Sequence, residues 1–300
     1  MARAIPVIES HRSPWRSLPS GCVELSIALV LFSIAPGLRL RAQTAVPPRA
    51  AAAAPAPAPA ATGTPAAAPT VAELNGMLTT ARADIKAGNE KDAIDLMDKA
   101  TTARPDIALL WITYGDAWTS MGYGLAHGPN PLIVQDSKAF IDIAYRNAAE
   151  KYQKALSLNP PAATAGPVYC DLGNAQANLG QTQDAVDSFE KAVAASPENA
   201  KLAYFNETAA LFNAYKGGQG NLAAAVVTAA DKAIAADAGN AVLYYMKLKG
   251  LAATGTTANS PNRAAMVEAG NHYLELAPTG PFAGEVKGIL AGGSGAAPRR

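Results

Sequence analysis

From residue 71 to residue 280 the apolar positions fall into one recurring frame. A small Ala is followed four residues on by a large side chain, three further on by a second Ala, and five further on by Pro. Ala93, Met97, Ala100 and Pro105 make the first copy. Ala148, Tyr152, Ala155 and Pro160 make the second, and Ala185, Phe189, Ala192 and Pro197 the third. Val226, Ala230 and Ala233 repeat it with Ala238 in place of Pro, and Met266, Gly270, Tyr273 and Pro278 form a degraded last copy. Steps of four and three keep side chains on one helical face. The chain before a Pro is driven out of helical geometry, so each copy predicts an amphipathic helix with a marked end.

A second helical pattern precedes each copy. Trp111, Tyr114, Gly115 and Trp118 show it, and Tyr169, Leu172, Gly173 and Gln176 show it again. Ala81, Gly115 and Gly173 each lie seven residues before a glycine: Gly88, Gly122 and Gly180. The small residue lets two helices touch. The later glycine suits a reversal at a helix C-terminus, where φ turns positive. Asn89 and Gln181 then open the following helices.

Helix, glycine turn, helix, proline, repeated in one register, closely resembles the tetratricopeptide repeat (TPR) family. The resemblance covers most of residues 71–280. It implies an all-α protein, a right-handed superhelix (α-solenoid) of about five helix pairs: 71–107, 108–162, 165–199, 200–240 and 241–280. A short capping helix over 281–290 closes the end.

Pair two departs from the frame. Gly122 and Ala148 stand 26 residues apart where the equivalent positions in pairs one and three stand 5 apart, an insertion of 21. Its first part, Gly122 to Pro131, reads as a Gly/Pro loop. Its second part reads as an extension of the next helix, with Ser137 as N-cap and Phe140, Ala144, Ala148, Tyr152 and Ala155 on one stripe. Leu132-Ile133-Val134 is an apolar run beside that loop. Pair four carries a Gly-rich turn at 216–221, and pair five a loop at 254–262.

Upstream, Arg3, Arg12 and Arg16 precede an apolar stretch from Val23 to Ala35, with Pro36 and Gly37 after it and a cleavage site at Leu40-Arg41-Ala42. The stretch falls short of the ~20 residues a membrane span needs. Residues 1–42 are therefore read as an export signal, cleaved in preference to a retained anchor, and the address is the periplasm or cell envelope. Residues 43–70 are almost wholly Ala and Pro, a polyproline-like spacer on the order of 80 Å long when extended. The repeat domain occupies 71–291, and 292–300 is a flexible tail.

Composition narrows the chemistry. Hydrophobic residues make up 49% and aromatics 6%, an Ala-rich balance that suits close-packed helices. A net charge of +1 supplies no field for nucleic acid. Removal of the signal with Cys22 leaves Cys170 alone, which makes neither a disulfide nor a zinc site. His11, His127 and His272 sit in no metal-ligand spacing. No positioned nucleophile, base, phosphate loop or metal set emerges, so no catalytic residues, metal or cofactor are expected.

The resemblance implies that the first helix of each pair lines a concave wall used for peptides or partner proteins. On that wall it places Arg82, Ile85, Asp116, Cys170, Asn174, Asn178, Asn206 and Asn213, with Lys247 as a partial substitute for the basic residues of a carboxylate-binding clamp. Asn174 and Asn206 are expected to face solvent. The expected function is a non-catalytic protein-interaction scaffold of the cell envelope. The alternative is a homo-oligomerisation module built on the 123–143 insertion.

Overall fold

The computed structural model describes residues 69–127, 134–255 and 261–292. Among them the chain is all helix and turn. The helices are α1 (Val71–Ala87), α2 (Glu90–Ala103), α3 (Ala108–His127), α4 (Val134–Ser157), α5 (Ala162–Asn178) and α6 (Thr182–Ala195). They continue with α7 (Ala200–Lys216), α8 (Ala223–Ala236), α9 (Ala241–Ala253), α10 (Pro261–Leu276) and α11 (Ala283–Gly292). Consecutive helices pack as antiparallel pairs, in the five pairs expected, and α11 packs on α10. First helices also touch across pairs: α1 with α3, α5 with α7, α7 with α9. Second helices approach each other less closely, so the stack curves with the first helices inside.

Local chemistry sets the ends. Thr70 and Glu73 form a reciprocal capping box that satisfies the first amides of α1. Gly88 and Gly180 take φ of 80° and 75°, left-handed values that glycine adopts without strain. Pro105, Pro197 and Pro278 each follow the last residue of a helix by two positions, and Pro160 by three. Helix α8 stops at the equivalent place, before Ala238, although no Pro stands there.

The recurring small residues are contact points. Ala81, Ala93, Ala100, Ala148, Ala155, Ala185, Ala192 and Ala233 have no exposed surface. A Cβ on Gly173 would come 2.7 Å from the Phe189 ring, and one on Gly115 2.5 Å from the Tyr152 ring. Missing side chains at these two glycines are what let the large residue of the second helix lie flat on the first. Leu172 and Trp111 fill the layers between pairs, and the Trp111 indole N–H donates to the Pro105 carbonyl at 2.9 Å.

Pair two corrects the expected loop. Gly122 is not a turn glycine: α3 runs through it to His127, and α4 starts at Val134. The insertion therefore lengthens both helices into a projecting hairpin. Gly122 repeats the Gly115 contact one step further along, with its missing Cβ 3.1 Å from the Tyr145 ring. Nothing in Gly122–His127 breaks a helix once a partner helix lies alongside it. Ser137 accordingly lies inside α4 and is no N-cap. Phe140 is 58% exposed rather than on the buried stripe, because Ile141 and Tyr145 take the face toward α3. Of the Leu132-Ile133-Val134 run, the first two residues and the Val134 side chain lie outside the described residues, as does the stretch from residue 1 to residue 68.

The far end is closed by α11. Val286 is fully buried, Phe282 stacks on Tyr245 with ring centroids 4.0 Å apart, and Leu290 covers Gly270. The Tyr245 hydroxyl and the Lys249 ammonium both donate to Glu285, at 2.9 and 2.7 Å. Burial opposes the charge on Glu285, yet these two donors hold its carboxyl below the usual range. Gly284, Glu285, Lys287 and Gly288 lie on the exposed side of this cap.

Candidate functional site

Three residues occupy one repeat position on successive inner helices. Arg82 follows Ala81, Asp116 follows Gly115, and Asn174 follows Gly173. The small residue of each pair faces the second helix, so its successor is turned about 100° away. Arg82 is exposed, and Asp116 and Asn174 are half-buried. A row running positive, negative, neutral thus falls on the first helices α1, α3 and α5.

Asp116 is the best-defined member. The Tyr152 hydroxyl donates to its Oδ1 at 2.9 Å and lies 3.1 Å from the buried Thr119 hydroxyl. The contact exists because the Tyr152 ring crosses Gly115 and emerges beside the next residue. Burial pushes the Asp116 carboxyl up to about 6, while the Tyr152 hydrogen bond and the charge of Arg82 pull it back part of the way. Arg82 is near enough to act through space but makes no ion pair with Asp116 among the described residues. The Tyr152 hydroxyl is itself held well above its ordinary value, first by burial and then by the charges of Asp116 and Asp171.

Other expected wall residues are placed differently. Asn178 donates its side-chain amide to the Asn174 carbonyl at 2.9 Å, which commits it to its own helix. Ile85 is half-buried against the pair-one core, and Cys170 is fully buried with Ala185, Phe189 and Ala192. Asn206 is 3% exposed, which corrects the expectation that it faces solvent. It lies in a stretch from Phe205 to Phe212 that is buried on every side, because α7 is packed by α5, α6, α8 and α9. Asn213, on the same helix, is only half-buried. Lys247 does not stand in for a clamp: its ammonium is paired with Asp231 on the second helix α8 at 2.6 Å. The open row therefore ends at pair three.

Two features were not anticipated from the sequence. One is the Tyr152–Asp116 bond, whose only trace is a Tyr where pair three has Phe189 and pair one Met97. The other is a charged joint across three helices, where Lys232 of α8 donates to Glu190 of α6 and to Glu207 of α7, both at 3.0 Å.

An all-helical stack of antiparallel pairs with a chemically varied inner wall defines a helical-repeat solenoid. Residues 166–199 match the family model of the tetratricopeptide repeat. Among solved structures the fold is similar to YrrB, described as a TPR protein with an unusual peptide-binding site, at 17% identity and a TM-score of 0.50, covering 71% of this chain and 90% of that one. It is equally similar to a MamA RS-1 double mutant, at 15% identity and a TM-score of 0.50, covering 69% of this chain and 96% of that one. No curated protein matches the chain. Residues 166–199 are thus a tetratricopeptide repeat by sequence, and the described helices share the fold of these solved repeat structures.

Proposed function

We propose that this protein is a non-catalytic interaction scaffold that takes an extended segment of a partner protein along its inner wall. The observation that carries this reading is the row Arg82, Asp116 and Asn174. Three side chains of different polarity stand one repeat apart on a surface that the intramolecular core leaves open. The peptide-binding site described for YrrB lends it support by likeness of fold. The test is capture of partners by the full chain and by Asn174→Arg, which places a bulky cation in the row. Capture should fall with helix content unchanged; full retention would move binding off this wall.

The place of action is proposed to be the cell envelope, on the strength of the basic, then apolar, then Ala/Pro-rich order of residues 1–70. Fusing those residues to a reporter that works only outside the cytoplasm should give signal. A silent reporter with stable fusion protein would overturn the address.

A second reading, self-association through the projecting hairpin, is motivated by Leu125, Phe140 and Ile143, which are 39%, 58% and 43% exposed near its tip. Three such side chains offer on the order of 250 Å² of apolar surface, well under the roughly 800 Å² per partner of a stable interface. The hairpin is therefore secondary to the wall. A dimer in solution that Phe140→Glu abolishes would reverse that order.

A further inference from the structure

Resting on the inner-wall reading above, we infer that the wall is charge-selective: Asp116, aimed from behind by Tyr152, is a subsite for a Lys or Arg side chain of the bound segment. The geometry is specific to pair two. Pairs two and three both use a glycine on the first helix and an aromatic ring on the second, with the ring packed on the glycine. In pair three the ring is Phe189, which can offer nothing to Asn174. In pair two the ring is Tyr152, whose hydroxyl passes Gly115 and donates to Asp116 Oδ1. Thr119 lies within hydrogen-bond distance of the same hydroxyl, so the phenol has a fixed place in a short chain from Thr119 to Tyr152 to Asp116. One carboxylate oxygen is thereby anchored from the core side.

Among the described residues no cation contacts the charge, and Arg82 acts on it only through space. Four carboxylates elsewhere have cations in contact: Asp231 has Lys247, Glu285 has Lys249, Asp237 has Lys201, and Glu207 has Lys232, whereas Asp98 is held by the Tyr114 hydroxyl as Asp116 is by Tyr152. Asp116 has a phenol and no ion pair among the described residues. The charged and titratable groups around it are the exposed Arg82 from α1, Tyr152 from α4, and Asp171 from α5 near the Tyr152 hydroxyl. A half-buried carboxylate, oriented and without a cation in contact, is complementary to an ammonium or guanidinium that arrives with a partner. Such a contact is favourable because the carboxylate has already lost much of its water.

Tyr152 is a positioning residue and not a contact. Its loss should weaken discrimination without removing it, since pair three shows that Phe fits the same place.

The experiment is selection of the full chain against a randomised display library of short peptides, repeated with Asp116→Asn, Asp116→Lys and Tyr152→Phe. The parent should enrich one position in Lys and Arg over Asp and Glu by about tenfold or more, the scale of one charge-assisted contact. Asp116→Asn should abolish that bias while still selecting peptides. Asp116→Lys should reverse it, and Tyr152→Phe should reduce it severalfold. Peptides selected with no charge preference, or a preference untouched by Asp116→Asn, would overturn this inference and leave the inner-wall reading standing. Selection of no peptide by any of the four proteins would overturn both.

Discussion

Glu207 and Lys232 are joined at 3.0 Å across the contact between α7 and α8, with Glu207 only 2% exposed. Burial raises the Glu207 carboxyl above its usual range, Lys232 opposes that shift, and Glu190 adds to it. The second carboxylate oxygen of Glu207 has no hydrogen bond among the described residues, so Lys232 is what keeps the charge tolerable.

Lys232→Met should therefore destabilise the protein by on the order of 2 kcal/mol at pH 8. That is less than the ~3–5 kcal/mol of a fully buried broken pair, because Lys232 is partly solvated. The loss should shrink as pH falls. In the variant the folded-state pKa of Glu207 rises further above its unfolded value, so protonation favours the folded state. Adding Glu207→Gln should recover much of the loss at pH 8. Urea unfolding at pH 8 and pH 5 measures both; an effect of Lys232→Met that is the same at the two pH values would refute the role given to Glu207.

Asp116 leads to an opposite kind of prediction, a carboxylate whose charge weakens the fold. Its carboxyl titrates near 6 in the folded chain against an ordinary value of 3.8. The folded state thus holds the proton more tightly, and this group's contribution to stability declines as pH rises from about 4 through 6. Asp116→Asn should melt above the parent at pH 7.5, by on the order of 1–2 kcal/mol, and level with it below pH 4. Thermal melts across that range decide it.

Glycine substitutions separate contact from mere helix. Gly173→Leu should cost roughly 1–3 kcal/mol or more, since even a Cβ there would sit 2.7 Å from the fully buried Phe189. Ala185→Leu should act in the same direction. Gly76→Ala in α1 meets nothing within 4 Å and should stabilise by about 0.5–1 kcal/mol. Gly124→Ala, whose Cβ would meet only Glu90 at 4.0 Å, should stabilise likewise if the insertion is helix through His127. A neutral or destabilising Gly124→Ala would restore the loop.

The cap provides a local readout. Phe282→Ala removes the ring stacked on Tyr245 and should cost about 2 kcal/mol. Amide exchange should accelerate most in α11 and at the end of α10, and little in α1 to α6. This follows because repeats interact chiefly with their neighbours.

The pairing of helices and the register of the repeats were legible in the residues from 71 to 280. A small residue at a fixed offset from a large one is a contact requirement, and it survives in Ala81, Gly115 and Gly173 whatever surrounds them. Pro105, Pro160, Pro197 and Pro278 mark helix ends because proline acts on the backbone locally. These properties are set within one helix or one pair, so the sequence by itself determined them. Exposure was decided by the tertiary structure, because it depends on which further helix arrives. Gly122 looked like a turn until Tyr145 was found lying on it. Asn206 looked like a wall residue, yet four helices close around α7. Lys247 looked available, yet Asp231 reaches it from the neighbouring pair. The Tyr152 hydroxyl reaches Asp116 only once two helices, 36 residues apart in the chain, meet across a missing side chain.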